Sequence, residues 1–240
     1  MVKTSGKNIL FVGDIHGLDA IELLKDGLKH CDTIVCCGDY VDSFFVPHGE
    51  QLYNLNNLCT FAREHKDKVR LLLGNHDYAY IYGFSGISGY QYMHASEFQK
   101  MFKDNADLFQ IAWGYTNPET KKYTLATHAG LTQKYWNGYV LPEFALEGKK
   151  VDQLPIHEVL NLLQGRNIIW KVGSMRGGRG TPGPMWADYQ ELLLDRYMGI
   201  NQVFGHTPLN VPKLDQFGDD LVACIDSRGN EFVESMVITL

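Results

Sequence analysis

The run Asn8-Ile9-Leu10-Phe11-Val12-Gly13-Asp14-Ile15-His16-Gly17 sets the grammar of the chain. Its unbroken apolar stretch reads as a buried strand, and Gly-Asp marks the turn at the strand's end. The same pattern returns twice. Residues 33–37 are apolar and run into Gly38-Asp39-Tyr40-Val41-Asp42, and residues 69–73 run into Gly74-Asn75-His76-Asp77. Between them, residues 19–28 place Ile21, Leu24 and Leu28 at helical spacing. Residues 51–64 place Leu52, Leu55, Leu58 and Phe61 on one helix face. Strand, helix, strand, helix, strand implies right-handed crossovers and a parallel sheet, hence an α/β class.

Further along, the pattern loosens. Residues 78–92 are rich in Gly and Tyr without a clear period. Helices are expected at 96–102 and at 155–163, where Pro155 suits a first turn. Strands are expected at 109–115 and 122–127, the second leading into His128. Residues 140–152 read as irregular, and 173–184 as a Gly- and Pro-rich loop. Val203-Phe204 leads into Gly205-His206-Thr207-Pro208. Residues 221–225 and 232–239 flank Ser227-Arg228-Gly229-Asn230 and read as a hairpin. No repeat or linker interrupts the chain, so one α/β domain over 1–240 is expected. Two sheets sandwiched between outer helices would accommodate the later strands.

Composition narrows the function classes. The 240 residues are 45% hydrophobic, enough for a substantial core. A net charge of −6 argues against a bulk preference for nucleic acid or anionic membrane. No apolar run approaches the roughly 18 residues of a membrane span, and the first residues do not resemble a signal peptide. Five cysteines without scaffold spacing read as reduced thiols of a cytoplasmic protein.

Five segments carry chemistry: Gly-Asp-Ile-His-Gly, Gly-Asp-Tyr-Val-Asp, Gly-Asn-His-Asp, Thr127-His128-Ala129-Gly130 and Gly205-His206-Thr207-Pro208. Each follows an apolar run, and chemistry in open α/β sheets collects at strand carboxyl ends. Asp14 and His16, two apart on an extended segment, point to one side and are assigned to a first metal. Asp39 is assigned as a bridge, because a carboxylate has two oxygens. Asn75, His128 and His206 complete a second metal. Two divalent ions about 3.5–4 Å apart serve in-line displacement at phosphorus, with a shared water as nucleophile. The mixed nitrogen and oxygen set suits Mn²⁺ first, or Fe or Zn²⁺, better than Mg²⁺. The remaining histidines, His30, His48, His65, His94 and His157, belong to no motif and are expected at the surface.

The order Asp-x-His, Gly-Asp, Gly-Asn-His, His and Gly-His from Asp14 to His206 resembles the calcineurin-like metallophosphoesterase superfamily. That resemblance implies a sandwich of two mixed β-sheets flanked by helices. Gly205-His206-Thr207-Pro208 lacks the second His of the Gly-His-x-His ending common among phosphodiesterases and nucleases. With the other motifs it is similar to the branch of Ser/Thr phosphoprotein phosphatases and symmetrical diadenosine tetraphosphate hydrolases. The resemblance makes His76 the general acid, with Asp42 or Asp77 as its anionic partner; both carboxylates are equally readable as helix caps. The branch usually places Arg-Gly after Gly-Asp-x-Val-Asp to grip phosphate, whereas Ser43-Phe44 follow here. Arg176 and Arg179, in a stretch free of acidic residues, are the replacement candidates, against the reading of a solvated loop. The tyrosines of 78–92 either wall a substrate ring or cap the core. Asp226 is assigned at most a supporting place beside the metals.

The expectation is a dinuclear phosphatase acting on phosphomonoesters of a phosphoprotein, nucleotide or dinucleoside polyphosphate. The rivals are a diadenosine tetraphosphate hydrolase-like or other nucleotide phosphohydrolase, a phosphodiesterase or nuclease, and a non-catalytic scaffold for phosphorylated partners.

Overall fold

Ten strands divide equally between two sheets in the computed structural model, which describes residues 6–151, 153–227 and 232–240. The first sheet has the order β10-β1-β2-β3-β4. In it β1 (Asn8–Val12), β2 (Thr33–Cys36), β3 (Val69–Leu72) and β4 (Phe109–Gln110) run parallel, and β10 (Ser235–Thr239) pairs antiparallel with β1. The second has the order β5-β6-β7-β9-β8, built from β5 (Ala112–Thr116), β6 (Tyr123–Thr127), β7 (Asn201–Phe204), β9 (Asp220–Cys224) and β8 (Lys213–Phe217). There β6, β7 and β9 are parallel, and β5 and β8 close the edges antiparallel.

Alternation along β1 explains the sandwich. Ile9 and Phe11 join Val35, Leu72, Ala126, Val203 and Ala223 in one fully buried layer contributed by both sheets. Leu10 and Val12 face the other way, into a second core with Leu24, Leu55 and Leu58. Those leucines come from α1 (Ile21–His30) and α2 (His48–Glu64). A strand buried on both faces must be apolar throughout, which is why its sequence does not alternate. The remaining helices are α3 (Asn75–Tyr82), α4 (Ala95–Asp104), the single turn α5 (Gln133–Tyr135), α6 (Leu141–Leu146), α7 (Ile156–Asn161) and α8 (Tyr189–Asp195). None is long and apolar enough to cross a membrane. All five cysteines are buried and unpaired.

Four expectations need correction. The strand expected at 109–115 breaks at Ile111 into β4 and β5, which belong to different sheets. Asn161 supports the break by accepting the amides of Ile111 and Ala112 at 2.8 and 2.9 Å. Residues 78–82 are helical; Tyr78, Ala79 and Tyr80 are all buried, and a helix buried around its circumference shows no amphipathic period. Residues 141–146, expected as irregular, form α6. The terminal apolar runs do not pair as a hairpin: β9 lies in the second sheet and β10 in the first. A turn-rich link between two apolar runs looks the same whether the chain folds back or crosses the sandwich. β9 instead forms a hairpin with β8, with Gly218 at φ 63° in its turn. Arg228 to Asn230, expected as a turn, lie outside the described residues. Of the five motif-free histidines, His30 is exposed and the other four are half-buried. His48 and His94 stack and face Glu97, joining α2 to the start of α4.

Candidate active site

Five strand ends converge on one seam between the sheets. Asp14 and His16 follow β1, Asp39 and Asp42 follow β2, Asn75 to Asp77 open α3 after β3, His128 follows β6, and His206 follows β7. The turns lace into one another. The Asp39 carbonyl accepts the amides of Ile15 and His16 at 3.0 and 2.8 Å. The His76 amide donates to Asp39 Oδ1 at 2.9 Å, and the His206 amide to Asp14 Oδ1 at 3.0 Å. Close approach explains two glycines: a Cβ on Gly74 would lie 2.0 Å from Asp39 Oδ1, and one on Gly205 would lie 2.2 Å from Asp14 Oδ1.

Backbone strain concentrates here. His16, Asp39, Asp42 and His206 hold φ of 42°, 53°, 67° and 65°. Among the described non-glycine residues only Lys121 shares that left-handed region. Each such residue costs on the order of 1–3 kcal/mol, so the fold retains them against local preference.

The ring orientations are fixed from behind. His16 Nδ1 lies 2.9 Å from the Val41 carbonyl, and His128 Nδ1 lies 2.9 Å from the Cys37 carbonyl. A carbonyl only accepts, so each Nδ1 carries a hydrogen and each Nε2 is turned toward the pocket. His128 Nε2 sits 2.9 Å from Asn75 Oδ1, 3.1 Å from His206 Nδ1 and 3.4 Å from Asp39 Oδ2. His16 Nε2 lies 3.9 Å from Asp14 Oδ2. Two groups result, Asp14/His16/Asp39 and Asp39/His128/His206, each with ligand atoms within 4.8 Å and with Asp39 common to both. Asn75 adjoins the second group.

Charge shows that the set suits cations. Burial, with the Asp39 charge adding, pushes Asp14 up to about 7 and both Asp77 and Asp226 up to about 8. Burial would also favour neutral His128, but Asp39 and Asp14 outweigh it and hold that imidazole protonated up to about 10. Its Nε2 proton then stands where a metal would accept the lone pair. Burial and the neighbouring His128 charge keep His206 neutral, and its Nε2 is buried without a hydrogen-bond partner among the described residues. A pocket that crowds carboxylates out of water and offers imidazole nitrogens fits divalent ions.

A stability prediction follows for the metal-free protein. Asp14, Asp77, Asp226, His76 and His128 all bind protons more tightly folded than unfolded. Between pH 6.5 and 8 the native state therefore carries more protons, and stability falls as pH rises. His206 does not reverse this, being neutral in both states above its ordinary range. Melting in chelator should drop across that window, and saturating Mn²⁺ should flatten the trend. A chelated protein that melts higher at pH 8 than at 6.5 would contradict the charge assignment.

Beside the ligand set lies a second constellation. His76 Nδ1 is 2.8 Å from Asp42 Oδ2, and its Nε2 is 3.9 Å from Asp39 Oδ2. Burial disfavours its charge, yet Asp39 and Asp42 lift it to about 9. The other Asp42 oxygen accepts the Tyr80 hydroxyl, which in turn accepts the Gln91 amide at 2.9 Å. Asp77 does something different. It accepts three backbone amides, from Asp39 and Tyr40 at 2.8 Å and from Gly74 at 2.9 Å, and so clamps the second turn against the third.

The cleft above these groups has a volume of about 360 Å³. Arg176 lines it; Arg179 is exposed and is not among its lining residues. Arg176 Nη2 is held by the His206 carbonyl at 3.3 Å, Thr207 Oγ1 at 3.2 Å and Asp188 Oδ2 at 3.2 Å. Its Nε is buried with no partner among the described residues. Asp226 and Ser227 also line the cleft. Tyr78 and Tyr80 belong to the core and do not form a substrate wall; the aromatic lining comes from Phe44, Phe45 and Trp186. The tie from Tyr80 to Asp42 escapes the sequence reading, which treats that tyrosine only as wall or cap. Had the helix at Asn75 been visible, Tyr80, four residues after His76, would have been placed on the same face.

Strand-end carboxylates, imidazoles and an amide meet on the seam of a double-sheet sandwich, a donor set suited to divalent ions. The chain belongs to the calcineurin-like phosphoesterase family, which it matches over residues 7–231. No curated protein matches it. Among solved structures, a cold-active protein-tyrosine phosphatase of a psychrophilic Shewanella species is similar at 18% identity with a TM-score of 0.60, covering 97% of this chain and 75% of that one. A protein serine/threonine phosphatase of Saccharomyces cerevisiae aligns at 14% identity with a TM-score of 0.45, covering 94% and 69%. The first likeness supports the fold alone.

Proposed function

We propose that this protein is a dinuclear metal-dependent phosphatase acting on phosphomonoesters. The observation that carries the reading is the shared position of Asp39 between two candidate ligand groups, with the His76–Asp42 pair beside it. Asp14 and His16 would hold one ion, Asn75, His128 and His206 the other, and Asp39 both. Ions bound there supply Lewis acidity toward phosphoryl oxygens and lower the pKa of water.

The chain's own residues do the rest. Val41 and Cys37 aim the imidazoles of His16 and His128 through their carbonyls. Asp77 fixes the Asp39 turn through backbone amides, so the bridging carboxylate is positioned before anything binds. Arg176, tethered through Nη2 and lining the cleft, offers its guanidinium to a phosphate oxygen and takes the place of the arginine replaced by Ser43. His76, kept protonated by Asp42, delivers a proton to the leaving oxygen.

A panel of substrates with Mn²⁺-reconstituted protein tests this. Phosphate release from phenyl phosphate should outpace cleavage of bis(p-nitrophenyl) phosphate, because the diester lacks an oxygen for the Arg176 side to engage. Preferential cleavage of the diester would replace the reading by a phosphodiesterase. Absence of turnover on every ester would leave a binding scaffold.

A further inference from the structure

The segment after Asp42 is held firmly and yet presents two bare phenyl rings. Ser43 Oγ accepts the amides of Phe45 and Val46 at 3.2 and 3.1 Å. Gln51 accepts the Ser43 amide at 3.2 Å and donates to the Val46 carbonyl at 2.6 Å. From this braced turn Phe44 and Phe45 project with 71% and 74% of their surface exposed, and both line the cleft that holds the candidate ligands. The backbone at Gly89 passes so close that a Cβ there would lie 3.4 Å from Phe44 Cζ, so the ring is backed on one side. Ile87 extends the same apolar wall.

Exposed aromatic rings on a rigid mount are a binding surface rather than leftover core. Their position says what they bind. In-line displacement puts the leaving group opposite the nucleophile, on the side of the general acid. His76 is that acid in the proposed reading, its partner is Asp42, and Phe44 and Phe45 follow Asp42 in the same turn. A leaving group departing toward His76 enters the cleft that Phe44 and Phe45 also line. After Asp42 this chain offers apolar faces to the organic portion.

We infer that Phe44 and Phe45 select phosphoesters whose organic portion carries a planar aromatic ring, through stacking on the acid side of the cleft. The inference rests on the proposed phosphatase reading for its orientation. The shared chemistry has two sources, a phenyl group bonded directly to the phosphate oxygen and a nucleobase one sugar away.

The test separates them, and separates this inference from the phosphatase reading. Non-hydrolysable phosphonates are titrated calorimetrically against the Mn²⁺-loaded protein and its F44S/F45S variant. Phenylphosphonate should bind about tenfold more tightly than methylphosphonate, and the variant should lose that preference. In parallel, KM is measured for adenosine 5′-phosphate against ribose 5-phosphate, which both depart through a primary 5-alkoxide and differ in the presence of the base. A preference confined to phenylphosphonate assigns the ring to the phosphate oxygen; one confined to the nucleotide assigns a base. Either supports the inference provided the double substitution removes it. Equal binding within both pairs, or a preference that survives F44S/F45S, overturns it even if the protein proves a fast phosphatase. A phenyl preference without any turnover keeps the stacking site and overturns the phosphatase reading instead. Both rings are exposed, so the variant should fold, and unchanged circular dichroism and melting check that it does.

Discussion

Asp39→Asn should cut turnover severely while leaving the protein folded. Asn keeps the shape and can still accept the His76 amide, which lies 2.9 Å from Asp39 Oδ1. It removes the one charge placed between both candidate ligand groups. Bound metal should fall together with activity. The loss in kcat should be on the order of 10³-fold, the several kcal/mol that metal-assisted charge stabilisation supplies. The metal-free variant should melt lower than the parent at neutral pH. Against the cost of burial, the neighbouring His128 and His76 hold the Asp39 carboxyl well below the usual carboxylate range, so its removal leaves those buried imidazoles without their main counter-charge. Elemental analysis, kinetics and melting of the same preparation check all three. Two ions retained with full activity would refute the bridging assignment.

His76→Gln should split substrates by leaving group. In the proposed reading the imidazole protonates the departing oxygen, a contribution of about 10²–10⁴-fold for a general acid. Alkyl phosphates leave as strongly basic alkoxides and should lose that whole factor. p-Nitrophenyl phosphate, whose phenolate needs little protonation, should lose far less. Gln occupies similar space and is not in the ligand set, so metal content should not change. Equal losses on both substrates would mean that His76 positions other groups and transfers no proton.

Much of this site can be read in the sequence because each feature is local. Gly-Asp, Gly-Asn-His and Gly-His each follow an apolar run, and the run is the strand whose end delivers them. The glycines are equally readable, since Gly74 and Gly205 stand where a Cβ would strike Asp39 or Asp14. What stays hidden depends on long-range packing. Nothing local says that Asp42 meets His76 across 34 positions whereas the adjacent Asp77 turns to backbone amides. Nothing local separates Arg176 from Arg179, because the choice depends on Thr207 and Asp188 reaching the same loop. The break at Ile111 and the parting of β9 from β10 are equally invisible. Apolar runs specify burial but not which layer receives them.

The six candidate ligands straddle two independent layers: Asp14, His16, Asp39 and Asn75 hang from one sheet, His128 and His206 from the other. Bound ions would then act as rivets through the seam. Gentle warming that lets one layer slide against its neighbour would silence the enzyme while every strand is still formed. Catalytic competence would thus be a finer gauge of inter-sheet alignment than any spectroscopic measure of secondary structure.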